Sequence, residues 1–150
     1  MGISYQKASD IEKIAKKIIN ALCLSYIDQD RLHFYRSNGS KSRRVQARIH
    51  GMGRIWFDAL GMKPHYIIEV ISEEYDRLAP EEQEKVIIHE LMHIPTRFSG
   101  GFVPHRGKIN RKTVDKMYRT YREALKISNL SYMSHGSEQA PTGVLMEEKE

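Results

Sequence analysis

The segment Val86-Ile87-Ile88-His89-Glu90-Leu91-Met92-His93 carries the pattern from which the fold of this 150-residue chain can be predicted. Residues i and i+4 lie on one face of a helix, so the imidazoles of His89 and His93 can reach one metal ion. The surrounding apolar residues predict a buried helix, and buried histidines need partners, which a metal supplies. Glu90 lies beside His89, where its carboxylate can act as the general base on a coordinated water.

The helix that carries this motif is predicted to begin at Pro80 and to stop near Pro95, because proline favours the first turn of a helix and ends its last. A loop rich in Gly and Pro follows, and it can return the chain across one helix diameter, about 10 Å. His105 is the next histidine, and we expect it to be the third metal ligand. Glu123 is the alternative, since zinc accepts imidazole or carboxylate, but it lies off the apolar stripe of its helix.

Three further helices are predicted from apolar residues at helical spacing, over 9–22, 54–60 and 113–125. The first is expected to begin with an S-x-x-E capping box formed by Ser9 and Glu12. Within the second, Trp56 with Phe57 is interpreted as a core anchor and not as a substrate platform. Asn110 is the predicted N-terminal cap of the third.

Strands are predicted over 32–36, 44–50 and 65–72. Asn38-Gly39 tolerates the positive φ angles of a tight turn, so the first two strands are expected to form a hairpin. The fold class is therefore α+β, with a small, mostly antiparallel twisted sheet packed with the N-terminal helix and the HExxH active-site helix. Strand 44–50 is the predicted edge at which a peptide substrate adds a strand.

Composition limits the class of protein. The hydrophobic content of 40% excludes a disordered acidic chain, and no apolar run approaches the roughly 20 residues of a membrane-spanning helix. The single cysteine, Cys23, excludes an internal disulfide and a CxxC zinc ribbon. We therefore expect a cytoplasmic protein without a membrane partner, with one domain at 1–135 and a flexible acidic tail at 136–150.

The net charge is +5, and the stretch from Arg31 to Arg54 contains seven Lys or Arg residues and no acid. Such a surface can attract an anionic partner, so nucleic acid is a candidate partner beside a peptide or protein substrate.

The stretch from Ala47 to Arg106 resembles the phage and archaeal metallopeptidase family, which is similar in layout to SprT-like zincins. The residues that carry the resemblance include Arg54-Ile55-Trp56, Tyr66-Ile67-Ile68-Glu69-Val70-Ile71-Ser72, His89-Glu90-Leu91-Met92-His93-Ile94-Pro95, Phe98-Ser99-Gly100-Gly101 and Pro104-His105. The resemblance implies a zincin-like zinc peptidase fold with His89, His93 and His105 as ligands and Glu90 as general base. No H-G-x-x-F follows the third histidine, so a role on DNA-crosslinked proteins is not implied.

The sequence thus predicts a zinc-dependent metallopeptidase that hydrolyses peptide bonds with a zinc-bound water activated by Glu90. One alternative is a catalytically degenerate zincin that serves as a protein- or DNA-binding module. The other is a basic nucleic-acid-binding domain in which the HExxH spacing is accidental.

Overall fold

The computed structural model describes residues 2–135, and the tail predicted at 136–150 lies outside them. The described residues contain four strands, β1 (Ser4–Lys7), β2 (Leu32–Asn38), β3 (Ala47–Gly51) and β4 (Tyr66–Ile71). They also contain five α-helices, α1 (Ser9–Ala21), α2 (Arg54–Leu60), α3 (Ser72–Tyr75), α4 (Pro80–Met92) and α5 (Arg111–His135). None of these helices has the length and apolarity needed to cross a membrane. The α+β class is confirmed.

The sheet is mixed and has the order β1-β2-β4-β3. β2 and β4 run parallel, whereas the two outer pairings are antiparallel. The predicted β2–β3 hairpin is therefore wrong, because β4 lies between those two strands. β4 is the most apolar strand, and Tyr66, Ile68 and Val70 are fully buried. In the central position, the backbone of β4 forms hydrogen bonds with a strand on each side, and these side chains pack on the helices. A β2–β3 hairpin would not allow β4 to have both neighbours.

Helix α1 buries the predicted apolar stripe, including Ile11, Ala15 and Ile18. Its predicted capping box is wrong, because Ala8 is the N-cap residue and no side chain caps the helix. The Ala8 N–H donates to the Phe34 carbonyl at 3.0 Å, so the chain passes directly from β1 into the helix. Ser9 is consequently already helical, and the short strand β1 was not predicted.

Helix α2 ends as predicted at Gly61, which adopts the left-handed conformation with φ 62°. Phe57 is buried, but Trp56 is 59% exposed, so its interpretation as a core anchor is wrong. Successive helical residues point about 100° apart, and one short helix cannot bury both neighbouring rings on one face.

Helices α4 and α5 pack against each other, and α5 contributes the buried Val114 and Tyr121. The predicted cap of α5 is confirmed: Asn110 Oδ1 accepts from the Thr113 N–H, and Thr113 Oγ1 accepts from the Asn110 N–H, both at 3.0 Å. Two donors that the helix itself cannot satisfy are thereby paired.

Candidate metal centre

Helix α4 presents His89 and His93 on one face, with ring centroids 5.2 Å apart. The helix begins at Pro80 as predicted and ends at Met92, with His93 as its C-cap residue. His93 keeps a right-handed helical conformation, φ −71° and ψ −17°, so the i, i+4 geometry extends to the second imidazole. His89 is half-buried and His93 is buried.

Val103 fixes the orientation of His93 through two backbone hydrogen bonds. Its N–H donates to the His93 carbonyl at 2.8 Å, and its own carbonyl accepts from His93 Nδ1 at 2.7 Å. Because Nδ1 carries the proton, Nε2 of His93 is left unprotonated and available as a ligand atom. Nothing in the sequence pattern points to Val103, because the contact uses only its backbone.

The loop after α4 brings His105 to the same point. His105 Nε2 lies 3.1 Å from Nε2 of His89 and 3.1 Å from Nε2 of His93. The loop turns back at Phe98 and Gly100, which have φ angles of 49° and 93°. The predicted third histidine is thus next to the other two.

The hydroxyl of Tyr66, in the central strand, holds this loop in place. It donates to the Gly101 carbonyl at 2.8 Å and accepts from the Gly100 N–H at 2.8 Å. Tyr66 itself is fully buried, so the loop is attached to the sheet at the point where it reverses. The sequence analysis placed Tyr66 in the strand predicted over 65–72 and gave no signal for this contact.

The three imidazoles fit a metal ion. Their ligand atoms lie within 4.8 Å of one another, and no other group of three such side chains forms among residues 2–135. A metal bound by nitrogen at about 2.0–2.1 Å requires its ligand atoms to be no more than about 4.2 Å apart, which both 3.1 Å distances satisfy. Burial, together with the neighbouring His93 and His105, lowers the pKa of His89 and favours the neutral form that binds metal.

Glu90 lies between α4 and β3 and is buried. Burial raises the pKa of its carboxyl to about 7, an effect that a hydrogen bond from the Ile49 backbone N–H reduces. A carboxyl with a pKa near neutrality is suited to both accepting and donating a proton. The role of Ile49 was not predicted.

Glu123, the alternative ligand, lies away from this cluster. Its side chain is 69% exposed and forms an ion pair with Lys126 at 3.7 Å. In the described residues, the group that could hold a metal contains His105 and not Glu123.

A cleft of about 800 Å³ opens over the three histidines and Glu90. One wall is the chain from Arg44 to Ile49, which includes β3 at the edge of the sheet. The opposite wall is formed by α4, the loop at 102–105 and the first turn of α5. The strand predicted as a substrate edge therefore borders the cleft.

The basic stretch divides into two groups in the structure. Arg31 pairs with Asp28 at 2.8 Å, and Arg36 pairs with Asp10 and Asp76 at 2.7 Å each. The other five cations have no ion pair within the described part of the chain; they are Lys41, Arg43, Arg44, Arg48 and Arg54. Nucleic-acid binding stays a prediction. Because Arg31 and Arg36 are paired with carboxylates, the candidate surface for it is the part of the basic stretch at residues 41–54.

The family model for Putative phage metallopeptidase matches residues 3–131. The chain belongs to this family. The match extends beyond the stretch on which the resemblance was recognised and includes the three clustered histidines and Glu90. No curated protein and no solved structure matches the chain. The similarity to SprT-like zincins therefore stays a prediction. The comparison shows that the chain belongs to the phage metallopeptidase family, and the structure gives it a candidate metal site of three histidines.

Proposed function

We propose that this protein is a zinc-dependent metallopeptidase in which His89, His93 and His105 hold the metal and Glu90 is the general base. The observation that carries the proposal is the convergence of three imidazoles beside a buried carboxyl in an open cleft. Zinc suits a set of three neutral imidazoles, which is common in catalytic zinc sites with one open position. When bound, zinc supplies a Lewis acid that polarises a carbonyl and lowers the pKa of water.

The residues of the chain supply the proton transfers. Glu90 is buried beside His89, and its pKa of about 7 permits it to accept a proton from the attacking water and donate it to the leaving amine. The Ile49 N–H donates to the same carboxyl and restricts its position. Val103 keeps the His93 ring in the tautomer that binds metal.

The substrate is proposed to be a peptide in extended conformation that lies along β3. An edge strand has unpaired backbone N–H and C=O groups on its outer side, and a peptide can satisfy them by adding a strand. The Ile49 N–H is the exception in β3, because it donates to Glu90. β3 borders the cleft on this outer side, so the added peptide would pass the three histidines. Backbone pairing of this kind recognises any extended peptide, which leaves selectivity to the side-chain contacts.

Zinc content and hydrolysis of casein or a peptide library, measured on purified protein, test this proposal. Glu90→Gln should retain about one zinc per chain and lose about 10²–10⁴-fold in rate, as expected for an acid–base residue. Glu123→Gln is the matched control, because it removes an exposed carboxylate outside the cleft, and it should retain both zinc and activity. An unchanged rate for Glu90→Gln would refute the mechanism.

Two other outcomes would support the alternative functions. A parent protein that binds zinc but cleaves neither casein nor the library would be a degenerate zincin that acts as a binding module. A parent protein that binds no zinc and retains a nucleic-acid affinity dependent on Arg43 and Arg44 would be a basic nucleic-acid-binding domain.

A further inference from the structure

Helix α2 exposes three of its four large apolar side chains. Ile55 is 77% exposed, Trp56 59% and Leu60 57%, whereas Phe57 is the one buried side chain of this helix. Single exposed apolar residues are ordinary, but several neighbouring ones on a short helix are typical of an interaction surface.

This exposed surface continues to the cleft through Phe102, which lines the cleft and is 46% exposed. The Phe102 ring packs on Gly51: a Cβ at that position would lie 2.7 Å from its Cζ. Two residues further, a Cβ on Gly53 would lie 3.8 Å from Trp56 Cδ1. The rings of Phe102 and Trp56 therefore lie close to the two ends of the segment Gly51-Met52-Gly53, which connects β3 to α2. We name this surface the apolar shelf; its residues are Met52, Ile55, Trp56, Leu60 and Phe102.

We propose that the apolar shelf binds a large apolar side chain of the peptide substrate, at a position three or four residues from the bond that is cleaved. The inference rests on the proposed function, since it takes the cleft as the peptide site. Ile49 marks the reacting centre along β3, because it lines the cleft together with His89 and Glu90 and its N–H donates to the Glu90 carboxyl. Met52 follows three residues later, about 10 Å away for extended chain, so the shelf lies beyond the side chains adjacent to the cleaved bond.

The charges around the shelf favour an apolar peptide segment over an anionic partner. The charged residues of α2 are Arg54 and Asp58, which have opposite signs. Binding to nucleic acid or to an anionic lipid surface depends on several cationic side chains, and this helix has one, Arg54. Continuity with the cleft through Phe102 favours the substrate over a second copy of the chain.

Trp56 is the single tryptophan of the sequence, so its fluorescence reports directly on the shelf. The experiment uses the zinc-loaded Glu90→Gln full chain and decapeptides of Ala, Ser and Gln in which one Phe is moved through every position. Binding of the best peptide should shift the Trp56 emission to shorter wavelength. Replacing its Phe by Ser should weaken binding about 10- to 100-fold, as expected for one buried aromatic side chain.

Matched variants locate the effect. Ile55→Ser leaves Trp56 in place and should weaken binding of the Phe peptide about 5-fold or more, with little effect on the Ser peptide. Leu130→Ser removes an equally exposed apolar side chain, 67% exposed on α5, and should change neither affinity.

Three results would overturn the inference: saturating peptide without an emission shift, an affinity optimum with Phe adjacent to the bond that the parent protein cleaves in the same peptides, or a shift that follows protein concentration alone. The last result would identify a second copy as the occupant. Binding is measured without turnover, so the two proposals can fail separately. A parent protein that cleaves peptides without a Trp56 shift would refute only the shelf. A shift without any cleavage by the parent would refute the peptidase, and the shelf would then be a peptide-binding surface with no cleaved bond beside it.

Discussion

The hydroxyl of Tyr66 should contribute both to the stability of the fold and to metal affinity, and Tyr66→Phe tests this. The substitution keeps the buried ring and removes two hydrogen bonds of 2.8 Å, to Gly100 and Gly101. A hydrogen bond contributes about 0.5–1.5 kcal/mol net, and a buried group left unpaired costs more. Gly101 is exposed and Gly100 is half-buried, so water can replace part of the loss. We therefore expect a loss of about 1–2 kcal/mol in the free energy of unfolding.

This loss corresponds to a decrease of roughly 2–8 °C in the melting temperature of the metal-free protein, measured by circular dichroism. Tyr75→Phe is the matched control, because Tyr75 is equally buried but its hydroxyl donates one long bond, 3.4 Å, to the Gln83 carbonyl. Its effect should be smaller, below about 0.5 kcal/mol. Equal stability losses in the two variants would refute the role assigned to the Tyr66 hydroxyl.

The same substitution should weaken zinc binding. A loop that is no longer attached to β4 must be ordered when His105 binds the metal. The free energy of binding is therefore reduced by the free energy needed to order the loop. If the whole 1–2 kcal/mol is transferred in this way, the dissociation constant rises by about 5- to 30-fold. Competition with a chelating indicator measures it. A Tyr66→Phe variant of lower stability but unchanged zinc affinity would show that the hydroxyl stabilises the core without positioning His105.

Two further predictions concern the third ligand and the response to acid. His105→Ala should abolish tight zinc binding, whereas Glu123→Ala should leave zinc content intact when both are measured by elemental analysis; the opposite pattern would identify Glu123 as the ligand. The Arg36 guanidinium donates to the Asp10 carboxylate and holds the pKa of that carboxyl below its usual value. Its stabilising effect is therefore present above the unfolded-state pKa of about 3.9 and is lost as pH falls further. Asp10→Asn should lose less stability than the parent between pH 5 and pH 3, by at most about 0.5–1 kcal/mol because the Asp10 side chain is 60% exposed. An equal decrease of the urea midpoint in the two proteins over that range would contradict this.

The elements of the candidate site could be predicted from the sequence because each depends on local spacing. The i, i+4 relation of His89 and His93 follows from helix geometry, and the start of α4 follows from Pro80. The return of His105 followed from the number of residues in the loop and its glycines. These arguments use no information about the rest of the fold.

The contacts that orient the site could not be predicted, because they join backbone groups distant in sequence. Val103 binds His93 through its N–H and carbonyl, and any residue type could do so. Tyr66 binds the loop across 34 positions. The strand order was predicted wrongly for a similar reason. Asn38-Gly39 is a strong local turn signal, but the place of β4 in the sheet depends on its burial, which is a property of the whole sheet.

The error in strand order bears directly on function. In the predicted hairpin, β3 would pair with β2, and nothing in that arrangement would require Ile49 to face the motif helix. Insertion of β4 between β2 and β3 moves β3 to the far edge, where one side pairs with β4 and the other borders the cleft. The Ile49 N–H can then donate to Glu90 instead of to a strand. The buried central strand thus explains both the edge at which substrate binding is proposed and the position of the proposed general base, although β4 itself contributes no residue to the histidine cluster.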